Sequence, residues 1–410
     1  MSLVRYLPTP SDRMGVIWSL LCVGGAVVLE YGPAGTTHYS AGLFGALGAE
    51  VGDRLFTTHM TEDDVVMGDV SKLEAALVEI DREYAPEVIF VVASSISAVI
   101  GTDLRGVCAY MREKLRARLI PMDQGGFRGN FTLGLRESYR TLARELAKPD
   151  APKLPGRYNL LGASVGSYRA RSDVWEIEDL MRRAFGMEAH AKLCLDTDVN
   201  AIETMAGAEV NLALRAEALP CAEEMQKSGG TPFVTGAPYG YRGTLDWLNR
   251  VGAAMGRAAD PALVRGMEAQ AAEAARYRMY GMTRRAHMPA AAILGEYDLV
   301  AGLSTFLDEL GLSVGHKICT HSLRDWPEAG PEIVSVTEER DRIALLKRLH
   351  HFLVLADDVS ARLLAPDNTY LRVSNPLVNG AQIANHMPIM GPRGADFMLE
   401  TIETYFQSLS

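Results

Sequence analysis

Residues 88–97 read VIFVVASSIS, six apolar residues without polar alternation and then three serines around an isoleucine. A strand with one wet face alternates apolar and polar positions, so a continuous run of this length is a strand buried on both faces. Both faces are buried when helices cover each side of a parallel sheet, and the Ser94–Ser97 loop then leaves the carboxyl end of the strand, where open α/β sheets place ligands. The flanks agree. Lys72–Tyr84 puts Leu73, Leu77 and Ile80 on one helical face, Val107–Arg118 is again helical, and Leu119–Met122 is a short strand that opens into the glycine-rich loop Gln124–Asn130.

Upstream, residues 15–40 read GVIWSLLCVGGAVVLEYGPAGTTHYS. The apolar run Val16–Leu29 is about 14 residues, short of the roughly 20 that cross a bilayer, and is expected to be a buried segment. It ends in the turn Gly32-Pro33-Ala34-Gly35, which releases Thr36, Thr37, His38, Tyr39 and Ser40. Glycines allow close backbone approach and Pro33 fixes the turn, so these polar groups are held in place. The same turn also serves plain architecture.

Downstream, Ala147–Gly156 carries three prolines and reads as a linker. Strands are expected at Tyr158–Gly162, Ala189–Leu195, Val210–Leu214 and Thr231–Val234, with helices at Trp175–Phe185 and Cys221–Lys227 and a loop at Gly236–Gly240. Residues 244–285 have helical spacing and cross to a third unit, with a strand at Ala290–Gly295, a helix at Val300–Gly311 and a strand at Phe352–Leu355. The expectation is an α/β chain of three Rossmann-like domains with mainly parallel sheets around a central cleft. Residues 1–150 form the first, 151–286 the second with its crossing helices, 287–375 the third, and 376–410 a segment returning to the first.

The chain has 410 residues, 48% apolar and 22% charged, with a net charge of −10 and no basic block. That argues against nucleic-acid or membrane binding, and five scattered cysteines without a C-x-x-C pair fit a reduced, cytoplasmic protein. There is no G-x-x-x-x-G-K-[ST] and no G-x-G-x-x-G, so no nucleotide site is expected in this chain. Gly162-Ala163-Ser164-Val165-Gly166 matches a hydrolase nucleophile pattern, but no helix is expected to start at once behind it, and a small-residue turn is the stronger reading.

Several blocks resemble the successive motifs of nitrogenase component 1: Gly32-Pro33-Ala34-Gly35-Thr36, then Thr57–Gly68 leading into Lys72-Leu73-Glu74, then Ser95–Asp103, then Gly126-Phe127-Arg128-Gly129, Asp308–Gly311 and Leu371–Pro376. The resemblance implies three Rossmann-like domains. It also implies a homodimer, or a heterodimer or heterotetramer with a paralogous subunit, meeting through residues 22–40 and 94–101, and electrons from a transient ATP-hydrolysing iron protein. In that family three cysteines per subunit hold an iron–sulfur cluster at the interface. Carried over, they fall on Cys22, Thr36 and Ser95, so two of the three thiolates are missing.

From these readings the candidate metal ligands are Cys22 and His38, and His38 is also the candidate proton donor. The ligand cleft is expected to include Thr36, Ser94, Ser95, Gly126, Gly129, Gly236, Tyr239 and the Asp357 region. His316, Cys319 and His321 form a weaker metal pattern. Two functions follow: a nitrogenase-like oxidoreductase subunit with an iron–sulfur cluster, or a non-catalytic scaffold holding a metallocofactor, tetrapyrrole or other ligand in the cleft.

Overall fold

In the computed structural model, which describes residues 4–5, 9–47, 51–282, 289–323, 330, 332–375 and 386–408, the 14-residue apolar run is not one segment. Helix α1 occupies Asp12–Leu20 and buries all nine of its residues, and strand β1 takes Ala26–Tyr31 after a turn through Cys22 and Gly25. A helix buried on every side lies between layers and not on a surface. Its one inward cation, Arg13, pairs with Glu30 of β1 at 2.6 Å and donates to Ser40 Oγ at 3.1 Å, and Thr37 donates to the other Glu30 oxygen at 3.0 Å.

Past β1 the chain forms helix α2 (Ala34–Ala46), strand β2 (Leu55–Thr57), the helix Ser71–Glu83 and strand β3 (Val88–Ala93). Two expected loops are helical. Thr36 to Ser40 lie within α2, behind Pro33 at its N-cap, and Ser95–Val99 is a short helix, α3, capped by Ser94 Oγ accepting from Ser97 N at 3.1 Å. Serine and proline both favour a helix start, so the signal was present in the residues. Strand β4 (Arg118–Met122) completes a parallel sheet of order β2-β1-β3-β4.

Behind the glycine-rich loop, helix α4 (Phe131–Leu146) packs along α1 and reaches the helices of the second sheet. The two helices touch through paired glycines. A Cβ on Gly15 would sit 2.0 Å from the Phe131 carbonyl oxygen, and one on Gly134 would sit 1.8 Å from that of Asp12.

The second sheet consists of β5 (Arg157–Leu161), β6 (Glu188–Leu193), β7 (Val210–Ala213) and β8 (Phe233–Thr235), parallel in the order β8-β7-β5-β6, with helix α5 (Ala170–Phe185) following β5 and helix α6 (Tyr241–Met255) following β8. The third has β9 (Ala291–Gly295), β10 (Val314–Cys319), β11 (Val334–Ser335), β12 (Leu353–Ala356) and β13 (Thr369–Arg372), parallel in the order β11-β10-β9-β12-β13. Helix α7 (Glu339–Leu346) precedes β12.

The last helix, α8 (Gly391–Ser408), packs on α5 and α6 of the second sheet, not on the first domain. Polar contacts pin it there. Asp173 accepts from the Ile389 and Met390 amides, Arg393 pairs with Glu176 and Asp179, and Tyr241 donates to Asp396 at 2.7 Å. Residues 376–385 of the expected C-terminal segment lie outside the described residues. One core runs from α1 and α4 through the second sheet into the third, while the outer faces of the first and third sheets have cores of their own.

Candidate functional site

Each sheet starts in its middle and winds both ways, which opens a crevice at the carboxyl ends of two neighbouring strands. In the first sheet these are β1 and β3. Their ends touch, since Ser94 N donates to Tyr31 O at 3.2 Å and a Cβ on Gly32 would lie 2.4 Å from that of Ser94. Thr36, His38, Ser94, Ser95 and Gly126 gather at this end: Thr36 Oγ1 donates to Pro33 O at 2.9 Å, His38 is exposed on α2, and Gly126 faces Ser95 Oγ. Gly129 lies on the exposed side of the glycine-rich loop, its carbonyl accepting from Asp12 N at 3.0 Å.

Cys22 is not with them. It precedes β1, whereas Thr36 and Ser95 follow the carboxyl ends of β1 and β3, so six strand residues, about 20 Å, separate them. The carried-over ligand set Cys22, Thr36 and Ser95 is therefore not brought together: residues 14 apart in the chain lie at opposite ends of one strand. Burial, with a smaller push from Asp196, raises the Cys22 thiol to about 12, which keeps it neutral.

The other cysteines are buried too, Cys108, Cys221 and Cys319 each being raised to about 12 by loss of hydration. His321 accepts from Tyr297 N through Nε2 at 3.1 Å, and His316 meets the Phe352 ring at a 50° tilt. Among the described residues no three of His, Cys, Asp and Glu form a metal-sized group. A four-iron cluster takes four thiolates or close substitutes. The donors of this one chain do not fit that group.

The crevice of the third sheet is open. Where β9 ends at Gly295 and β12 at Ala356, a cavity of about 80 Å³ is bounded by Glu296 and Asp357, closed from above by Trp18 of α1 and Phe131 of α4, and flanked by Gly166 behind β5 and Arg342 of α7. All three sheets thus contribute to it. Of the expected cleft residues it includes Asp357, whose Oδ1 caps the following turn by accepting from the Val359 and Ser360 amides. Ser94, Ser95, Gly236 and Tyr239 do not line it. Gly236 accepts from Trp247 Nε1 at 2.9 Å, and Tyr239 is buried against Gly302 with its hydroxyl unpartnered. Glu296, Arg342 and Trp18 went unrecognised in the sequence. The Gly295–Glu296 exit from an apolar strand was the available signal.

Under the cavity floor lies a buried charge group. Arg215, behind β7, pairs with Glu296, and Asp298 accepts from Ala216 N at 2.9 Å. Burial, reinforced by the charges of Asp298 and Glu296, lifts Glu217 to about 8, burial with a smaller push from Glu296 lifts Asp298 to about 6, and burial alone lifts Asp173 to about 7. Ordinary carboxyls titrate near 4. The folded chain therefore holds extra protons between about pH 4 and pH 8, and stability is expected to fall as pH rises through that window. In Glu217→Gln, urea midpoints at about pH 5 and about pH 8 should lie closer together than in the parent chain; an equal drop would place the proton elsewhere.

Ser164 is buried, and its Oγ accepts from Gly166 N at 3.1 Å, with the helix behind it starting only at Ala170. It closes a turn.

With this geometry in view, the sequence profile of the "Nitrogenase component 1 type Oxidoreductase" family matches residues 11–407. The chain belongs to that family. Among curated relatives, the nitrogenase iron-molybdenum cofactor biosynthesis protein NifE of Clostridium pasteurianum is 29% identical over 231 residues, covering 56% of this chain and 50% of that one. The protein of the same name from Klebsiella pneumoniae is 28% identical over 275 residues, 63% and 59% respectively. The chain thus spans about half the length of the first of the curated relatives it matches. A solved structure, "Nitrogenase Cp1 at pH 6.5", superposes with a TM-score of 0.80 at 17% identity, over 100% of this chain and 94% of that one, a likeness of fold. Among the described residues no helix is long and apolar enough to cross a membrane.

Proposed function

We propose that the chain is a non-catalytic scaffold of the nitrogenase component 1 fold, which holds a metallocofactor, tetrapyrrole or other ligand at the meeting point of its three sheets. One observation carries the reading: the sole cysteine among the three carried-over ligand positions, Cys22, lies across the first sheet from Thr36 and Ser95 as a neutral, buried thiol. Relatives named for cofactor biosynthesis support it. The redox reading, with an ATP-hydrolysing iron protein as electron donor, would need thiolates that one chain does not bring together.

The test is iron and sulfide analysis of anaerobically purified protein, parent beside Cys22→Ser. Equal iron content and equal visible absorption are expected. Loss of both in the variant would return the oxidoreductase reading to the front.

The scaffold is proposed to work as a pair, with a second copy or a paralogue, through the carboxyl-end face of the first sheet. Tyr39 of α2, Ile96 and Val99 of α3, Ile100 and Phe127 are exposed on the elements that make up this end. Exposed apolar groups gathered at one end of a sheet mark an interaction surface. Sedimentation of the parent should give a dimer, and Val99→Lys, at a position 72% exposed, should shift it to monomer with unchanged unfolding. A monomeric parent with no paralogue co-purifying would sink this part.

A further inference from the structure

Where the exits of β7 and β8 meet the helix Tyr297–Glu309 and its N-cap Glu296, the polar contacts run one way: the second domain donates and carboxylates of the third accept. Arg215 pairs with Glu296, Ala216 N donates to Asp298 at 2.9 Å, and the Tyr241 and Arg242 amides at the start of α6 donate to Glu309 at 3.2 and 3.1 Å. One further acid sits on the donor side. Glu217, two residues past Arg215, is 2% exposed, and its Oε2 has no hydrogen-bond partner.

The groups that act on Glu217 are Asp298 and Glu296 across the seam, Arg215 beside it, Tyr139 of α4 and Cys319 of β10, and Tyr239, Asp173 and His321 lie around Arg215. Burial raises both tyrosines and the thiol and lowers His321, so all four stay neutral near pH 7. Asp173 is held by the Ile389 and Met390 amides within the second domain and keeps its surroundings if the seam opens. With its proton, Glu217 leaves Arg215 to face Glu296 and Asp298. Without it, three carboxylates share one guanidinium, two of them on the far side of the seam, and their repulsion acts to part the domains.

We propose that this seam is a proton-gated latch: a proton on Glu217 holds the second and third domains together, and its loss as pH rises lets them part locally while each sheet stays folded. In the closed seam Glu217 is raised to about 8, and once water reaches it the group returns toward the ordinary value of about 4. Opening therefore releases one proton between those limits, and the opening constant rises about tenfold per pH unit from about pH 6 to about pH 8, then levels off. Glu296 also bounds the cavity, so a parted seam widens it. The latch stands on the seam's own charges, whatever the cavity holds.

Hydrogen exchange of the full chain, read by mass spectrometry at about pH 6, 7 and 8 and corrected for the intrinsic rates, is the test. Peptides holding Ala216, Tyr241 and Arg242 should exchange through an opening that leaves β3 protected, with the tenfold rise per pH unit. Glu217→Gln should abolish the rise and keep β3 protected. In Asp298→Asn one opposing charge is gone, so the rise should level off below about pH 8, and this variant decides the matter if Glu217→Gln does not fold. Seam peptides as protected as β3 would mean that they open only by global unfolding, which overturns the latch. So would a parent opening constant that is flat with pH, a Glu217→Gln chain that keeps the parent's rise, or an Asp298→Asn chain that levels off where the parent does.

Discussion

Gly134→Ala is expected to lower the unfolding free energy by about 3 kcal/mol or more and to leave much of the protein insoluble. The new Cβ would lie 1.8 Å from the Asp12 carbonyl oxygen and 2.9 Å from the Val16 amide nitrogen. Both neighbours are backbone, so no side chain can swing aside. Nor can α1 retreat, because all nine of its residues are buried between α4 and β1. Gly15→Ala meets the same obstacle from the other side, at the Phe131 carbonyl.

The control is Gly42→Ala on α2, where a Cβ meets nothing within 4 Å. A helical glycine costs conformational entropy, so that variant should gain about 0.5–1 kcal/mol. Urea unfolding of the two variants checks both signs. A Gly134→Ala protein as stable as the parent would mean that the two helices lie farther apart than described.

Arg215→Met is the second large effect, expected to cost about 3–5 kcal/mol near pH 8. Arg215 is 6% exposed and compensates Glu296 directly and Glu217 and Asp298 at longer range. Without it, three enclosed carboxyls face one another. Each then takes up a proton more readily, so the cost should shrink toward about pH 5, where protonated carboxyls no longer need the cation. The pair is also coupled: adding Glu296→Gln should recover part of the loss, and a double-mutant cycle at about pH 8 reads that recovery. Simple additivity would show that the pair contributes no more than its parts. Because Glu296 also bounds the cavity, Arg215→Met should impair ligand retention even under conditions where it folds.

Residue periodicity alone determined the class of the fold. Strands such as Val88–Ala93 and helices such as Ser71–Glu83 were legible because burial on two faces or on one stripe is written in neighbouring residues. The Gly-Pro and serine blocks were legible as strand exits for the same reason, whereas Asp357, expected in the cleft, also caps the turn behind β12. Tertiary structure alone decided which exits face one cavity. Cys22 and Thr36 are 14 residues apart in the chain and at opposite ends of one strand of the first sheet, because a strand carries the chain along at about 3.3 Å per residue. Trp18, Arg342 and Asn375 are hundreds of residues apart in places, yet line one pocket, because three separately wound sheets pack with their carboxyl ends toward α1 and α4. The C-terminal helix likewise docks on the second sheet because Asp173, Glu176 and Asp179 of α5 meet its backbone and Arg393. No local pattern encodes such meetings: they depend on how the sheets are oriented, which is set by long-range packing.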